Sequence, residues 1–341
     1  MSPIRVLAVT NAYPTDEDPR FGVFVASQMR SVGAYADVSV HFVDCRRAPW
    51  KYAAGIRRVR QAVRRGCYDV VHAHYGLTGF VASFQPSPLV VSFCGDDLLG
   101  TPDGRGGLTL KSRIARRLSH YAARRADAIV CKSEGLRDAL PEEVDRSRAY
   151  VIPNGVDTQL FCPGDRAAAR RRLGLTEEEK LVLFVFSRGQ RIKRLDIAEA
   201  AVARLPGLGV RARLWVIQDV APQEMPDHYR AADCLLLTSD SEGSPNVVKE
   251  SLCCDLPVVS VDVGDVHRWL AMASRSRLSP RHPEQLASAL HSVLAGGRED
   301  GSRVRAEIGL DGVARRVLEV YRVAMSERTE HVDRRLNWGA E

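Results

Sequence analysis

The chain has 341 residues, of which 45% are hydrophobic and 27% are charged, so it is long enough for two ordinary globular domains. It contains no run of the roughly 18 apolar residues that a membrane-spanning helix needs, and a strand pattern begins at residue 4, so we expect a cytoplasmic protein. The net charge of +7 fits an anionic partner, for which a nucleotide diphosphate, a phospholipid surface and nucleic acid are the alternatives. An aromatic content of 6%, without a base-stacking platform, disfavours nucleic acid.

The eight cysteines are scattered without the paired spacing of a metal site. Most of them stand in apolar strand or helix contexts. We therefore interpret them as reduced core residues.

The first half of the chain alternates short β-branched runs with arginine-rich helical segments. This rhythm predicts a parallel sheet with crossover helices, in which ligands bind beyond the carboxyl ends of the strands. The predicted strands are 4–10, 37–43, 69–74, 88–93, 128–132 and 148–152.

Polar residues follow the third and fourth predicted strands. His72 and His74 alternate along the third strand, and we expect His72 to be buried in a structural role. Asp96 and Asp97 follow the fourth. Adjacent carboxylates project to different sides, which disfavours a metal-binding pair and favours a turn and helix cap or polar contacts to a sugar.

Two arginine-rich segments are predicted to form helices with a basic face. The alternatives for these faces are simple solvation and docking against anionic lipid or a phosphorylated acceptor. The arginines concerned are Arg57, Arg58, Arg64, Arg65, Arg116 and Arg117.

The second half repeats the alternation of strands and helices after a junction at 153–157. Strands are predicted at 180–186 and 211–217, within 233–239 and 255–264, and in degenerate form at 277–279. Helices are predicted at 283–294 and 313–326.

The segment 242–250 reads Glu-Gly-Ser-Pro-Asn-Val-Val-Lys-Glu. Ser244 is a favoured N-cap residue and Pro245 suits the first helical position, so a helix is predicted to start here. The amides of Asn246 and Val247 would then be free donors at the positive end of the helix. Such an end is a natural binding site for a phosphate or a sugar hydroxyl.

Two carboxylates flank this helix start. Glu242 is placed in the loop before the helix, and Glu250 shares a helix face with Asn246 because the two are four residues apart. Val248 and Leu252 would form the core face. The pattern predicts a ligand site with one carboxylate at its mouth and one deeper inside.

The segment 242–250 and its flanking strands resemble the C-terminal half of the retaining glycosyltransferases of family 4, which carry a Glu-x7-Glu motif. The junction 153–157, Pro-Asn-Gly-Val-Asp, and the basic segment 187–196 also match that family. The resemblance implies the GT-B architecture, in which two Rossmann-like α/β domains with parallel sheets face a cleft. It implies an acceptor-side domain over 1–157, with the C-terminal helix 313–326 packing back on it, and a donor domain over 158–312.

The same resemblance implies roles for individual residues in the second domain. Glu250 would hold the ribose of a nucleotide-sugar and Glu242 would approach the transferred sugar. Arg188 and Lys193 would bind the donor diphosphate. Ser244, Asn246, Val247 and, near the nucleotide base, Val220 would complete the donor site.

In the first domain the resemblance points to a glycine-bearing loop and a histidine. Gly22 matches the glycine that faces the donor phosphates, although an ordinary turn is an equal alternative. Many family members have a histidine at the place of Cys94. A thiol cannot make the same hydrogen bond, so either His74 replaces that histidine or the contact is dispensable.

The activity implied is sugar transfer from a nucleotide-diphosphate sugar to a hydroxyl acceptor with retention, without a metal, a cofactor or an enzymic nucleophile. The acceptor would be a glycan, glycolipid or natural product. Two fixed cations would neutralise the leaving diphosphate. The alternatives are a nucleotide-sugar epimerase or phosphorylase on the same fold, and contact with the inner face of an anionic membrane remains open.

Overall fold

The computed structural model of the protein describes residues 3–43, 51–101, 107–186 and 191–337, with side chains up to residue 328. It divides the chain into two compact units. Unit 1 comprises Met1–Gly155 together with Leu310–Glu341, and unit 2 comprises Val156–Gly309. The sequence placed these divisions after residues 157 and 312.

Unit 1 contains a six-stranded parallel sheet in the order β2-β1-β3-β4-β5-β6. Its inner strands are buried on both faces, which is why their sequences are continuous β-branched runs. The strands are β1 (Arg5–Thr10), β2 (Asp37–Phe42), β3 (Val70–His74), β4 (Leu89–Phe93), β5 (Ala128–Cys131) and β6 (Ala149–Val151). The helices between them are α1 (Val23–Val32), α2 (Lys51–Gly66), α3 (Gly76–Ala82), α4 (Asp96–Leu99), α5 (Leu110–Arg125) and α6 (Glu134–Asp138).

Unit 2 contains a five-stranded parallel sheet in the order β11-β10-β9-β7-β8. The strands are β7 (Lys180–Phe186), β8 (Ala212–Gln218), β9 (Cys234–Leu237), β10 (Val258–Ser260) and β11 (Arg277–Leu278). Its helices are α7 (Arg166–Arg172), α8 (Leu195–Val202), α9 (Met225–Ala231), α10 (Asn246–Cys253), α11 (Val266–Leu270), α12 (Pro283–Gly296) and α13 (Ser302–Ile308).

The last helix, α14 (Leu310–Asn337), returns to unit 1. Tyr321 of this helix is fully buried, and its hydroxyl lies 2.7 Å from Nδ1 of His72 on β3. The predicted α/β class with two parallel sheets is confirmed. Among the described helices, none is long and apolar enough to cross a membrane.

The strand order reverses once in each sheet. In unit 1 the neighbours β1 and β3 lie at this switch point, and in unit 2 the neighbours are β7 and β9. Ligands of open parallel sheets bind beyond the carboxyl ends of such strands. A ligand site in unit 2 is therefore expected at the segments that follow β7 and β9.

The cysteines are not all core residues, which corrects part of the prediction. Cys131, Cys234, Cys253 and Cys254 are buried as free thiols, but Cys67 is exposed. The remaining described cysteines are half-buried, and Cys45 lies outside the described residues.

Candidate functional site

A short 3-10 turn, Arg191–Lys193, follows β7 and is fastened to the end of β9. The Thr238 hydroxyl donates to the carbonyls of Lys193 and Arg194, at 2.9 Å each. The amide of Asp240 donates to the carbonyl of Ile192 at 2.8 Å. These bonds fix Lys193 at the switch point of the unit 2 sheet.

Lys193 and Glu242 form an ion pair there. The Lys193 Nζ lies 2.7 Å from Oε1 of Glu242, and the Ser239 hydroxyl donates to the same oxygen at 2.7 Å. Both charged side chains are largely buried, with 18% and 16% of their surfaces exposed. The sequence predicted both residues for one site, and the structure brings them together across 49 positions of the chain.

The helix of the Glu-x7-Glu segment begins one residue later than predicted. Its N-cap is Pro245, without a side-chain capping bond, and α10 starts at Asn246. The prediction that Ser244 caps the helix is therefore wrong. Its hydroxyl instead donates to Oδ2 of Asp265 at 2.8 Å and accepts from the Lys249 ammonium at 2.9 Å.

These three residues form a buried polar clamp, Lys249–Ser244–Asp265, around the loop before α10. Lys249 is fully buried and Asp265 is only 4% exposed. Next to the clamp, Gly264 has φ +60, and a Cβ there would lie 2.8 Å from the carbonyl oxygen of Gly243. Only glycine fits this contact. The clamp and this close approach together hold the Glu242–Ser244 loop against the turn after β10.

The start of α10 presents polar groups as predicted, and its core face is confirmed. Val248 and Leu252 are fully buried. The amides of Asn246 and Val247 belong to the first turn of the helix. Oδ1 of Asn246 is buried without a partner among the described residues, which marks a place where a ligand donor would be favourable.

Glu250 lies one turn along this helix and accepts a hydrogen bond from the Tyr229 hydroxyl at 2.8 Å on its Oε2. Burial raises the pKa of Glu250, and the bond from Tyr229 and the nearby Lys249 partly oppose this effect. Tyr229 itself is fully buried on α9. The carboxylate is thus oriented by a fixed phenol.

In unit 1 the two histidines differ from each other. His72 contacts the Tyr321 hydroxyl and, at 2.7 Å, the Ser92 hydroxyl, so the predicted buried structural role is borne out by its contacts. His74 is 1% exposed, and neither ring nitrogen has a partner among the described residues. Burial, with a smaller effect of Lys132, lowers the pKa of His74 to about 3, so its imidazole is neutral at pH 7. Its predicted catalytic role stays a prediction.

The residues after β4 have local structural partners. Asp97 is buried and accepts bonds from the amides of Gly95 at 2.8 Å, Cys94 at 3.1 Å and Gly76 at 3.0 Å. It therefore acts as the predicted turn residue, whereas the predicted cap is wrong, because the N-cap of α4 is Gly95 without a side-chain capping bond. Burial raises the pKa of the Cys94 thiol to about 12, so this side chain is a neutral thiol.

The remaining predicted residues fall into three cases. Gly22 is the N-cap of α1 with φ +69, and a Cβ there would lie 2.2 Å from the backbone of Ala12, so the loop requires glycine. Val220 is half-buried in the segment after β8. Arg188 lies outside the described residues.

Sequence reasoning did not single out three of the contacting residues: Tyr229, Ser239 and Lys249. Tyr229 stands in the segment that resembles the family, but its partner Glu250 is 21 positions away. Lys249 lies inside the motif, and its sequence context indicates no role for it. Nothing in a single sequence signals which hydroxyl or carboxylate each of them meets.

Two family descriptions match the chain. Residues 4–155 match the family described as "Glycosyl transferase 4-like domain", and residues 166–296 match "Glycosyl transferases group 1". The chain belongs to the GT4-type glycosyltransferases.

Relatives of this GT4-type protein are named D-inositol 3-phosphate glycosyltransferase. The one from Geodermatophilus obscurus is 29% identical over 291 residues, which cover 72% of this chain and 63% of the relative. The one from Mycobacteroides abscessus is 26% identical, covering 85% and 73%. The chain thus spans less than two thirds of the length of the first of these relatives.

Solved structures share the fold of this GT4-type chain. Sucrose-phosphate synthase from Thermosynechococcus elongatus superimposes with a TM-score of 0.75 at 16% identity, covering 93% of this chain and 98% of that one. Anabaena Alr3699/HepE, solved in complex with UDP and glucose, has a TM-score of 0.68 at 18% identity, with the same coverage. These likenesses show the fold, two parallel-sheet α/β domains of the GT-B class.

Proposed function

We propose that this protein transfers a sugar from a nucleotide-diphosphate sugar to a hydroxyl acceptor, with retention at the anomeric carbon. Unit 2 binds the donor and unit 1 contributes to the acceptor site. The acceptor belongs to a glycan, glycolipid or natural product. The names of the relatives, and the UDP and UDP-glucose complexes of HepE, support this assignment.

The observation that carries the proposal is the Lys193–Glu242 ion pair at the switch point between β7 and β9. A lysine ammonium has three N–H donors, so Lys193 can hold Glu242 and still donate to a diphosphate oxygen. The distal phosphate of a nucleotide-sugar is bonded directly to the anomeric carbon. A carboxylate paired with the phosphate-binding lysine therefore lies beside the transferred sugar, which is the role we assign to Glu242.

Glu250 holds the ribose in this proposal. The Tyr229 hydroxyl donates to Oε2 of the Glu250 carboxylate, so Oε1 can accept a hydrogen bond from a ribose hydroxyl. The first-turn amides of Asn246 and Val247 donate to the phosphates, and the helix dipole of α10 favours their negative charge. Ser244, whose hydroxyl is used by the clamp, positions the loop.

The chemical step needs no metal in this scheme. The bond between the anomeric carbon and the distal phosphate oxygen breaks while the acceptor oxygen bonds to the same carbon on the same face. The acceptor proton passes to the departing phosphate oxygen. Lys193 and Arg188 stabilise the charge that develops on the diphosphate, so the protein contributes mainly positioning and electrostatics.

The test begins with a thermal-shift panel of nucleoside diphosphates, because a ligand at about 100 times its dissociation constant stabilises by about 2.7 kcal/mol. The corresponding nucleotide-sugars are then incubated with acceptors that include D-inositol 3-phosphate. Transfer should yield a glycoside of retained configuration in excess chelator. An epimerised donor without acceptor, or activity restored only by a divalent metal, would contradict the proposal.

We also propose that the protein works at the surface of an anionic membrane. The support is the exposure of basic side chains on two helices of unit 1, together with the positive net charge of the chain. They are Arg57, Arg58, Arg64 and Arg65 on α2, and Arg116 and Arg117 on α5.

A further inference from the structure

Three of the four large apolar residues of helix α5 are exposed, and small residues face the core. Leu110 and Ile114 are 68% and 51% exposed, and Tyr121 is 38% exposed. The residues that face the core are Ser112, Ser119, Ala122 and Ala123, and the last three are fully buried. An ordinary surface helix has the reverse arrangement.

The small inner residues have a clear structural reason. Helix α3 approaches α5 so closely that a Cβ on Gly76 would lie 2.0 Å from the Ser119 hydroxyl, and one on Gly79 would lie 3.0 Å from Cβ of Ala122. Tyr121 packs against Phe80 and Phe84, but among the described residues nothing comparable explains the outward position of Leu110 and Ile114. The side chains of Leu110 and Ile114 are exposed to water although burial of apolar surface is favourable.

The apolar residues form a stripe along the outermost face. Leu110, Ile114 and Tyr121 share one face with Arg117, because the intervals between them are four, three and four residues. The stripe extends about 16 Å along the helix at 1.5 Å per residue. At its C-terminal end the Tyr121 ring stacks on the exposed Phe84, with ring centroids 5.9 Å apart.

Cations flank this stripe, and one of them, Arg124, is paired with Glu143. The segment 110–125 contains no aspartate or glutamate. Its cationic residues are Lys111, Arg113, Arg116, Arg117, Arg124 and Arg125. An apolar stripe flanked by arginine is the pattern of a helix that lies in a lipid interface.

Helix α2 does not share this pattern, although the sequence predicts a basic face for both helices. Val59 and Val63 of α2 are buried, and Tyr52 and Ile56 pack against the core. Its outer face therefore carries arginines without large apolar residues. Such a face attracts anions but has nothing to insert into lipid.

We propose that α5 is the element that docks this protein on an anionic membrane, with Leu110, Ile114 and Tyr121 entering the headgroup region and the arginines contacting lipid phosphates. This inference deepens the membrane-surface role proposed above and does not depend on glycosyl transfer. A second copy of the chain is a poorer occupant, because a symmetric contact would place the six cations of α5 against themselves. Nucleic acid would use the arginines but leave the apolar stripe exposed.

The test measures co-flotation of the full-length protein with vesicles of phosphatidylcholine alone or enriched in phosphatidylglycerol, without donor or acceptor. We expect binding to the anionic vesicles that weakens with salt. Arg113→Gln with Arg117→Gln should lower the partition coefficient about 25-fold, at about 5-fold per cation. The matched change on α2, Arg57→Gln with Arg64→Gln, should lower it clearly less.

The apolar stripe has its own variants. Leu110→Ser with Ile114→Ser should reduce binding on the order of 10-fold or more and abolish what persists at high salt. The control is Leu208→Ser with Leu278→Ser in unit 2, where the native residues are 45% and 42% exposed. All of these sites are exposed, and thermal unfolding verifies that each variant folds.

Four outcomes would overturn the inference. The wild type could fail to bind anionic vesicles, or the double serine variant at Leu110 and Ile114 could bind like the wild type. The α2 control or the unit 2 control could also lose as much binding as its α5 counterpart. Finally, sedimentation without vesicles could reveal a dimer that this double serine variant dissociates, which would assign the stripe to a second copy of the chain.

Discussion

Glu242 and Glu250 carry the same carboxylate in two different environments. Glu242 is held by a cation and a hydroxyl, Lys193 and Ser239, at the mouth of the switch point. Glu250 is half-buried beside the Tyr229 phenol, and partial burial raises its pKa. In the proposed mechanism, Glu242 lies beside the lysine that binds the diphosphate, whereas Glu250 presents one fixed oxygen to a ribose hydroxyl.

Exchange of each glutamate for glutamine should therefore have opposite effects. We expect Glu250→Gln to weaken nucleoside diphosphate binding about 10- to 150-fold, since a charge-assisted hydrogen bond is worth about 1.5–3 kcal/mol. Glu242→Gln should leave diphosphate binding intact or tighter, because Lys193 is released from its carboxylate, while turnover falls. Calorimetry with the diphosphate and kinetics with the full donor distinguish the two. The exposed Glu199→Gln is the control, and the reverse pattern would refute the assignment.

Tyr229→Phe should change the pH dependence of donor binding. The Tyr229 hydroxyl donates to Glu250 and lowers the pKa that burial raises. Without this bond the pKa of Glu250 rises further, so the carboxylate is protonated at a higher pH and loses its acceptor charge. We expect the acidic limb of nucleoside diphosphate binding to move to higher pH, with affinity above the limb reduced far less. Identical limbs in calorimetric titrations of wild type and variant would show that Tyr229 does not position Glu250.

At the scale of secondary-structure elements, buried polar residues hold the loops at the carboxyl ends of the strands. The Lys249–Ser244–Asp265 clamp fixes the loop before α10. Asp97 does the same in unit 1, where its carboxylate joins the turn after β3 to the turn after β4. In both loops a charged side chain forms hydrogen bonds with backbone amides or hydroxyls that would otherwise be unpaired.

Asp97 should give the stability of unit 1 a distinctive pH dependence. Burial outweighs the three backbone bonds and raises the pKa of Asp97 from its ordinary 3.8 to about 6. Between these values the native state holds a proton that the unfolded state has lost, so the free energy of unfolding falls as pH rises from about 4 to about 6. Asp97→Asn should remove this contribution and destabilise the protein by about 1–3 kcal/mol at neutral pH.

Urea unfolding at a series of pH values measures this effect. Asp138 on α6 of unit 1 is exposed, so Asp138→Asn is the matched control and should retain the wild-type slope. A constant difference between wild type and Asp97→Asn across the range would show that Asp97 does not titrate in the window.

At the scale of the whole molecule, the chain leaves unit 1 after Gly155 and returns to it at Leu310. Unit 1 is therefore complete only when α14 is present. The buried contact between Tyr321 of α14 and His72 of β3 joins residues 249 positions apart. Burial lowers the pKa of His72 well below its ordinary value, so the neutral imidazole needs these hydroxyl partners.

Tyr321→Phe tests this connection. It leaves one ring nitrogen of His72 unpaired in the core, and we expect a loss of about 1–3 kcal/mol in the free energy of unfolding. Tyr121→Phe, at an exposed position, should change it by less than about 0.5 kcal/mol. Equal urea midpoints for Tyr321→Phe and the wild type would mean that the contact contributes nothing to unit 1.

The sequence by itself determined the α/β class, the positions of the strands and the segment that holds the candidate site. Strands buried on both faces must be short apolar runs, and β7, predicted at 180–186, is observed at Lys180–Phe186. The spacing of Glu242 and Glu250 likewise placed one in a loop and one on a helix, because helix periodicity is local.

Only the tertiary structure decided which partners those residues have. Ser244 reads as a helix cap, but Asp265 and Lys249 take its hydroxyl, and the first of these is 21 positions away. Likewise, α2 and α5 have similar arginine content, and the close approach of α3 is what requires small residues on the inner face of α5. Hydrogen bonds and packing depend on distances in space, so they are decided by residues that lie far apart in sequence.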